Sequence, residues 1–243
     1  MKTQLSYVHG NSTIPLLGET IGENLKKTVE KFPKKEALVC AHQNYRATYE
    51  EFYVQTAQVA KALINLGVKS GERVGIWAPN RYEWVLLQYA TARIGVILVN
   101  INPAYRTSEL IFVLNQSQIK YIFASQSFKS SNYKKMVDDA REFTSTLNEE
   151  IFFDDNWNEF LSGAIHISDE ELQTFEEKVQ FDDAVNIQYT SGTTGFPKGV
   201  TLSHHNILNN GYFIGIRMNY TEKDRVCIPV PFYHCFGMVI GNL

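Results

Sequence analysis

The chain has 243 residues, enough for one large domain or two small ones. Its 44% hydrophobic and 20% charged content is that of an ordinary globular protein, and a net charge of −3 argues against nucleic acid or an anionic membrane surface as a partner. Three scattered cysteines, Cys40, Cys227 and Cys235, with no C-x-x-C pair, point to a reducing compartment rather than a disulfide framework.

The start, MKTQLSYVHGNSTIPLLGE, has neither a sustained apolar stretch nor an Arg-rich amphipathic one, so no signal or transit peptide is expected. Aliphatic runs such as Ile94 to Val99 are too short to cross a bilayer, and a soluble, cytoplasmic protein is expected. TIGENLKKTVEKF reads as a helix closed by Pro33. ALVC and YRATY flank the polar AHQN and read as a hairpin. Thr48 and Glu51 then have capping-box spacing, Tyr49, Phe52, Tyr53, Ala60, Leu63 and Ile64 share one helical face, and Gly67 closes that helix.

RVGIW reads as a buried strand. Asn80 and Glu83 repeat the cap spacing and open RYEWVLLQYATARI, a helix apolar around most of its circumference, which Gly95 ends. VILV is a short strand, a helix starts near Thr107, and YIFAS is another strand. Strand and helix alternating at this rhythm predict an α/β fold, with right-handed crossovers and a largely parallel sheet flanked by helices. From about Ser130 to Asp183 the pattern is weaker and more charged, reading as peripheral helices with one strand near IFF. AVNIQYT is a strand that runs into a loop, VTL resumes extended structure, and Ser203 caps a helix beginning HHNILNNGYF. RVCIPV reads as a strand and PFYHCFG as a turn. The chain stops at MVIGNL, inside an apolar element, and is read as the N-terminal piece of a longer protein.

YTSGTTGFPKG, from Tyr189 to Gly199, holds three glycines, four Ser or Thr hydroxyls and a lysine. Glycines let backbone N–H groups converge on one point, a nest for phosphate oxygens. Thr190, Ser191, Thr193 and Thr194 add hydroxyl donors, and Lys198 adds a mobile positive charge behind the stiffening Pro197. A solvated surface loop is the competing reading, since Gly, Ser and Thr are common there. The ordered series Ser-Gly-Thr-Thr-Gly-x-Pro-Lys-Gly is too specific for it. A P-loop requires Gly-Lys-Ser/Thr opening a helix; here Pro197 precedes Lys198 and Gly199 follows it, which argues against a Walker-type NTPase. Cys227, His234 and Cys235 offer three ligands at most, two of them adjacent, so no metal site is expected from them. His204 and His205 sit where Ser203 starts a helix, and at least one is expected at the surface or in packing.

YTSGTTGFPKGVTLSHHN resembles the phosphate-binding signature of the adenylate-forming, AMP-binding superfamily of acyl-CoA synthetases, luciferases and adenylation domains. TYEEFYVQTAQVAKAL, GERVGIWAPNRYEWV, ARIGVILVNINPAYRTSEL and VPFYHCFG follow in that family's order, so the likeness spans nearly the whole chain. Within the family it is most similar to fatty-acyl-CoA synthetases like acyl-CoA synthetase family member 2. The resemblance implies that residues 1–243 are the first half of the large N-terminal domain of an adenylate-forming enzyme. It implies a fatty-acid–CoA ligase: a medium- or long-chain carboxylate attacks the α-phosphorus of Mg²⁺-bound ATP, giving acyl-adenylate and pyrophosphate, and coenzyme A then displaces AMP. Thr190, Ser191, Gly192, Thr193, Thr194, Gly195, Phe196, Pro197 and Lys198 would hold the β- and γ-phosphates. His234 would hold the carboxylate near the α-phosphate, with Phe232, Tyr233 and Phe236 shaping the entrance.

Asn80, Asn102, Pro103 and Tyr105 also match family positions, but caps and turns explain them without a ligand. The family's Tyr-Gly-x-Thr-Glu loop, ribose-binding Asp, hinge and C-terminal domain with its catalytic Lys are not in these residues, so the chain alone is expected to be inactive. A mitochondrial location follows if the source is eukaryotic and a leader has been lost. A non-catalytic protein that keeps the fold for nucleotide binding or partner contact is the other open reading.

Overall fold

The computed structural model describes residues 13–190 and 197–243. Helix α1 (Ile21–Lys31) starts at a capping box, Thr20 with Glu23, and ends before Pro33. Strands β1 (Glu36–Cys40) and β2 (Tyr45–Thr48) pair antiparallel, the chain reversing through a short 3₁₀ turn and Asn44 at φ 50°. Thr48 and Glu51 cap α2 (Tyr49–Asn65), which buries Phe52, Ala60 and Leu63; Gly67, at φ 88°, takes the left-handed position beyond it.

A repeating strand–helix pattern follows: β3 (Arg73–Trp77), α3 (Tyr82–Arg93), β4 (Ile97–Asn100), α4 (Thr107–Ser117) and β5 (Tyr121–Ala124). A two-residue ladder, β6 (Ser127–Phe128) with β7 (Ser131–Asn132), leads into α5 (Tyr133–Arg141). After β8 (Glu149–Phe152) come α6 (Trp157–Ser162) and α7 (Asp169–Glu176), capped by Ser168. Strands β9 (Ala184–Thr190) and β10 (Lys198–Ser203) precede α8 (His204–Arg217), whose capping box is Ser203 with Asn206. A π-helical turn, Phe236–Gly241, closes the described chain.

Six strands form one sheet in the order β10-β9-β4-β3-β5-β8, with every pair parallel except β10 with β9. Alternation along each strand feeds two cores. Val74, Ile76, Leu98, Tyr121, Phe123 and Ile151 face α1–α3 and α6–α8, whereas Trp77, Val99, Ile122, Ala124 and Phe152 face α4 and α5. The connection from β3 moves outward to β4, and that from β4 returns past β3 to β5. Right-handed crossovers in opposite directions put α3 and α4 on opposite faces; the connections leaving β3 and β5 diverge, so a topological switch lies at the carboxyl ends of those two strands.

Two expectations need correction. RVCIPV is not a strand: it runs exposed without a ladder, and Pro229, like Pro231 just after it, has no N–H to give one. Asn80 does not cap α3. Arg81 occupies that position without a side-chain cap, because the Asn80 amide bonds the backbone of Val230 and Phe232 and Glu83 pairs with Arg81.

Candidate functional site

The carboxyl ends of the parallel strands carry the candidate site. β9 ends at Thr190, β10 begins at Lys198, and the two are cross-strand partners. Both side chains are exposed, and Pro197 is half-buried. Ser191, Gly192, Thr193, Thr194, Gly195 and Phe196 lie outside the described residues. β9 bonds on its other side to β4, so the hairpin is rooted in the sheet interior. At its tip Tyr189 shares a 2.6 Å hydrogen bond with Ser117 at the end of α4.

The turn bearing His234 lies over the same strand ends. Asn100, the last residue of β4, turns its amide Nδ2 toward the carbonyl oxygens of Phe232 and Tyr233, each at 3.5 Å, and the Met238 sulfur at 3.3 Å. Asn186 on β9 donates to Asn100 Oδ1 at 3.0 Å, and Gln188 Nε2 lies 3.5 Å from the Met238 sulfur. These amides occupy sheet positions where a buried strand usually carries aliphatic side chains. Asn100 meets irregular backbone that crosses above the sheet, Asn186 holds Asn100, and Gln188 reaches the Met238 sulfur, polar partners that apolar residues could not supply. The signal for them was present: VNIQYT alternates amides with apolar residues inside an otherwise buried strand.

His234 is exposed, and its Nδ1 accepts the Phe236 N–H at 3.2 Å. An accepting Nδ1 leaves the proton of the neutral ring on Nε2, which is free to donate outward. The turn is tight: a Cβ on Gly237 would lie 2.5 Å from the Pro231 carbonyl oxygen, so glycine is required there for close approach rather than for its dihedral angles. Phe232, expected at an entrance, is only 8% exposed and packs against Trp84, with ring centroids 5.6 Å apart. Phe236 is 53% exposed.

Two further clusters support this edge of the sheet. Arg81 forks onto Glu83 and Asp154, bonds Ser125 and stacks on Phe153. Burial opposes its charge, but the hydrogen bonds to the two carboxylates outweigh that and raise its pKa. In the loop after β4, Asn102 accepts the Ala104 N–H at 2.9 Å and its carbonyl receives Trp77 Nε1 at 3.0 Å, so a turn accounts for it. Trp77 stacks on Tyr133, whose hydroxyl bonds the Pro103 carbonyl. Burial, then Glu109, Tyr189 and Tyr233, push the Tyr105 phenol up.

His204 is fully buried, and its Nδ1 accepts the Ile21 N–H at 3.2 Å. It serves packing: it joins α8 to the start of α1, and burial pushes its pKa down to about 4. His205 lies beside Phe181. Among the described residues no three His, Cys, Asp or Glu side chains group as a metal site. Nor is any helix among them long and apolar enough to cross a membrane.

The AMP-binding enzyme family matches residues 25–243. A mitochondrial medium-chain acyl-CoA ligase of Danio rerio, ACSF2, is 40% identical over 98% of this chain and 43% of its own length. A long-chain-fatty-acid-CoA ligase of Archaeoglobus fulgidus superposes with a TM-score of 0.81 at 25% identity, over 98% of this chain and 47% of that one. The N-terminal domain of FACL13 from Mycobacterium tuberculosis gives a TM-score of 0.76 at 26% identity, over 91% of this chain and 54% of that one. The chain thus spans less than half the length of the curated relative it matches.

Proposed function

The chain belongs to the AMP-binding enzyme family, and on that premise we propose that residues 1–243 are part of the large N-terminal domain of a fatty-acid–CoA ligase. The substrates are a medium- or long-chain fatty acid, ATP with its Mg²⁺, and coenzyme A. The single observation that carries this reading is convergence. A hairpin whose loop holds glycines, hydroxyls and one lysine, and a turn presenting a histidine N–H, are bound to the same two strand ends, those of β4 and β9, at the carboxyl edge of the sheet. The carboxyl ends of the strands are the edge at which open α/β sheets take up ligands.

In the first step a carboxylate oxygen bonds to the α-phosphorus as the bond to the bridging oxygen breaks, and pyrophosphate leaves with that electron pair. The protein's task is to hold charge and geometry rather than to form a covalent bond. Residues Thr190 to Lys198 grip the β- and γ-phosphates, with Lys198 following the charge that grows on the leaving group. His234 Nε2–H donates to the carboxylate and fixes its distance from the α-phosphorus. In the second step the coenzyme A sulfur bonds to the acyl carbon, AMP leaves, and the thiol proton passes to solvent.

The test is pyrophosphate release by the product of the complete reading frame, with ATP, Mg²⁺ and fatty acids of graded length. Release is expected, and Lys198→Ala should lower it by about 10²-fold or more without unfolding the protein. No release with any acid would instead favour a non-catalytic protein that binds nucleotide or a partner. For the location, the Danio rerio relative is a mitochondrial enzyme; a mitochondrial site is proposed for this protein if its source is eukaryotic, and the cytoplasm otherwise.

A further inference from the structure

Asn80 lies just beyond β3, and its amide closes two hydrogen bonds on one short segment. Nδ2 donates to the Val230 carbonyl at 2.8 Å, and Oδ1 accepts the Phe232 N–H at 2.8 Å. In extended backbone the C=O of one residue and the N–H two positions later face the same side, as they do toward a neighbouring strand. The Asn80 side chain therefore stands in for a strand partner where Pro229 and Pro231 deny the segment a regular ladder.

What is held there leads directly to His234. The Pro231 carbonyl receives the His234 N–H at 3.3 Å, and the His234 carbonyl receives the Met238 N–H at 3.0 Å. Gly237 packs against that same Pro231 carbonyl. The Phe232 ring, between the clamp and the histidine, is buried against Trp84. Asn100 approaches the segment from the sheet side through the carbonyls of Phe232 and Tyr233, at the longer distance of 3.5 Å. The two short bonds from Asn80 are thus the tighter attachment.

We propose that Asn80 is a positioning residue that aims His234 at the acyl carboxylate. It touches no substrate itself and acts through the backbone of residues 230–232. The inference rests on the reading of His234 as the carboxylate-binding group. It predicts a selective defect, because the clamp bonds the His234 segment and not the β9–β10 hairpin.

The experiment compares wild type, Asn80→Ala, Asn80→Asp, His234→Ala and the Asn80→Ala/His234→Ala double variant, each from the complete reading frame. Pyrophosphate release gives KM for fatty acid and for ATP, and hydrogen exchange reports the Phe232 amide. In Asn80→Ala we expect KM for the acid to rise tenfold or more, KM for ATP to stay within twofold, and the Phe232 amide to exchange at least tenfold faster. Asn80→Asp keeps the acceptor but sets an oxygen against the Val230 carbonyl, so its effect should be intermediate; it also serves if the alanine variant does not fold. The double variant should be no worse than His234→Ala alone, since coupled residues are non-additive. Equal rises in both KM values, additive losses, or an unchanged Phe232 amide would each overturn the proposal. If wild type releases no pyrophosphate, the ligase reading fails. Amide exchange then still decides by itself whether Asn80 holds the turn.

Discussion

The stretches before and after the hairpin loop are built by different rules. Residues 13–190 are held by strand ladders and by two apolar layers, in which Trp77, Trp84, Phe123 and Leu87 are fully buried. In residues 197–243 the span from Thr221 to Cys235 has no regular element, and among what fixes it are side-chain amides reaching across from the earlier part, Asn80 and Asn100. The first part is stabilised by many interchangeable contacts and the second by a few specific ones. Errors in the first should therefore unfold the molecule, and errors in the second should misdirect it.

The sharpest test of that contrast is Trp77→Ala. It deletes a buried ring stacked 3.6 Å from Tyr133 and the indole bond to Asn102, and should cost about 4 kcal/mol, read from denaturant midpoints. A loss below about 1 kcal/mol would break the picture of a cooperative first part.

Next is acidity. His204 is held neutral with a pKa near 4, against an ordinary 6.5, chiefly by burial, with Asp183 and Glu23 pulling weakly the other way. Between those values the unfolded chain takes up a proton that the folded one refuses. Stability should be flat above pH 6.5 and fall as the pH drops toward 4, by about 3 kcal/mol from this residue. His204→Gln should flatten that slope in pH-dependent melting.

Third is Gly237→Ala. Its Cβ would meet backbone rather than a movable side chain, and about 2 kcal/mol is expected. Because the strain lies in the His234 turn, activity should fall much further than Tm. Equal losses would erase the distinction between the two parts. The smallest effect belongs to the exposed pair Lys135–Asp139 on α5: Lys135→Ala should change stability by less than about 0.5 kcal/mol.

The same contrast explains what could be read from the amino acids alone. β3 over RVGIW and β9 over AVNIQYT, the capping box at Thr48, the cap at Ser203, and the glycine terminators Gly67 and Gly95 all rest on local pattern, and the structure matches them. Asn80 misled because the spacing Asn80–Glu83 is a true cap signature, and a partner 150 residues away outcompetes it. RVCIPV misled because its composition suits a strand, while pairing depends on a neighbour that composition does not reveal. At the candidate site, Thr190, Lys198 and His234 were legible as motif positions. Asn186 and Gln188 showed only as an alternation of amides in VNIQYT, because their partners Asn100 and Met238 are brought there only by the fold.

One feature of the hairpin separates stability from function. Thr190 and Lys198 face each other as cross-strand partners, so the residues between them begin and end at points about 5 Å apart, set by the ladder. Folding of the sheet has already met the entropy of closing that loop, and doubling its length would add only about 0.6 kcal/mol. If Thr190 to Lys198 hold phosphates as proposed, insertions there should leave melting almost untouched while lowering pyrophosphate release. On that reading the proposed activity can be lost by a change in loop length that folding does not register, and thermal screening of variants would pass such a chain as intact.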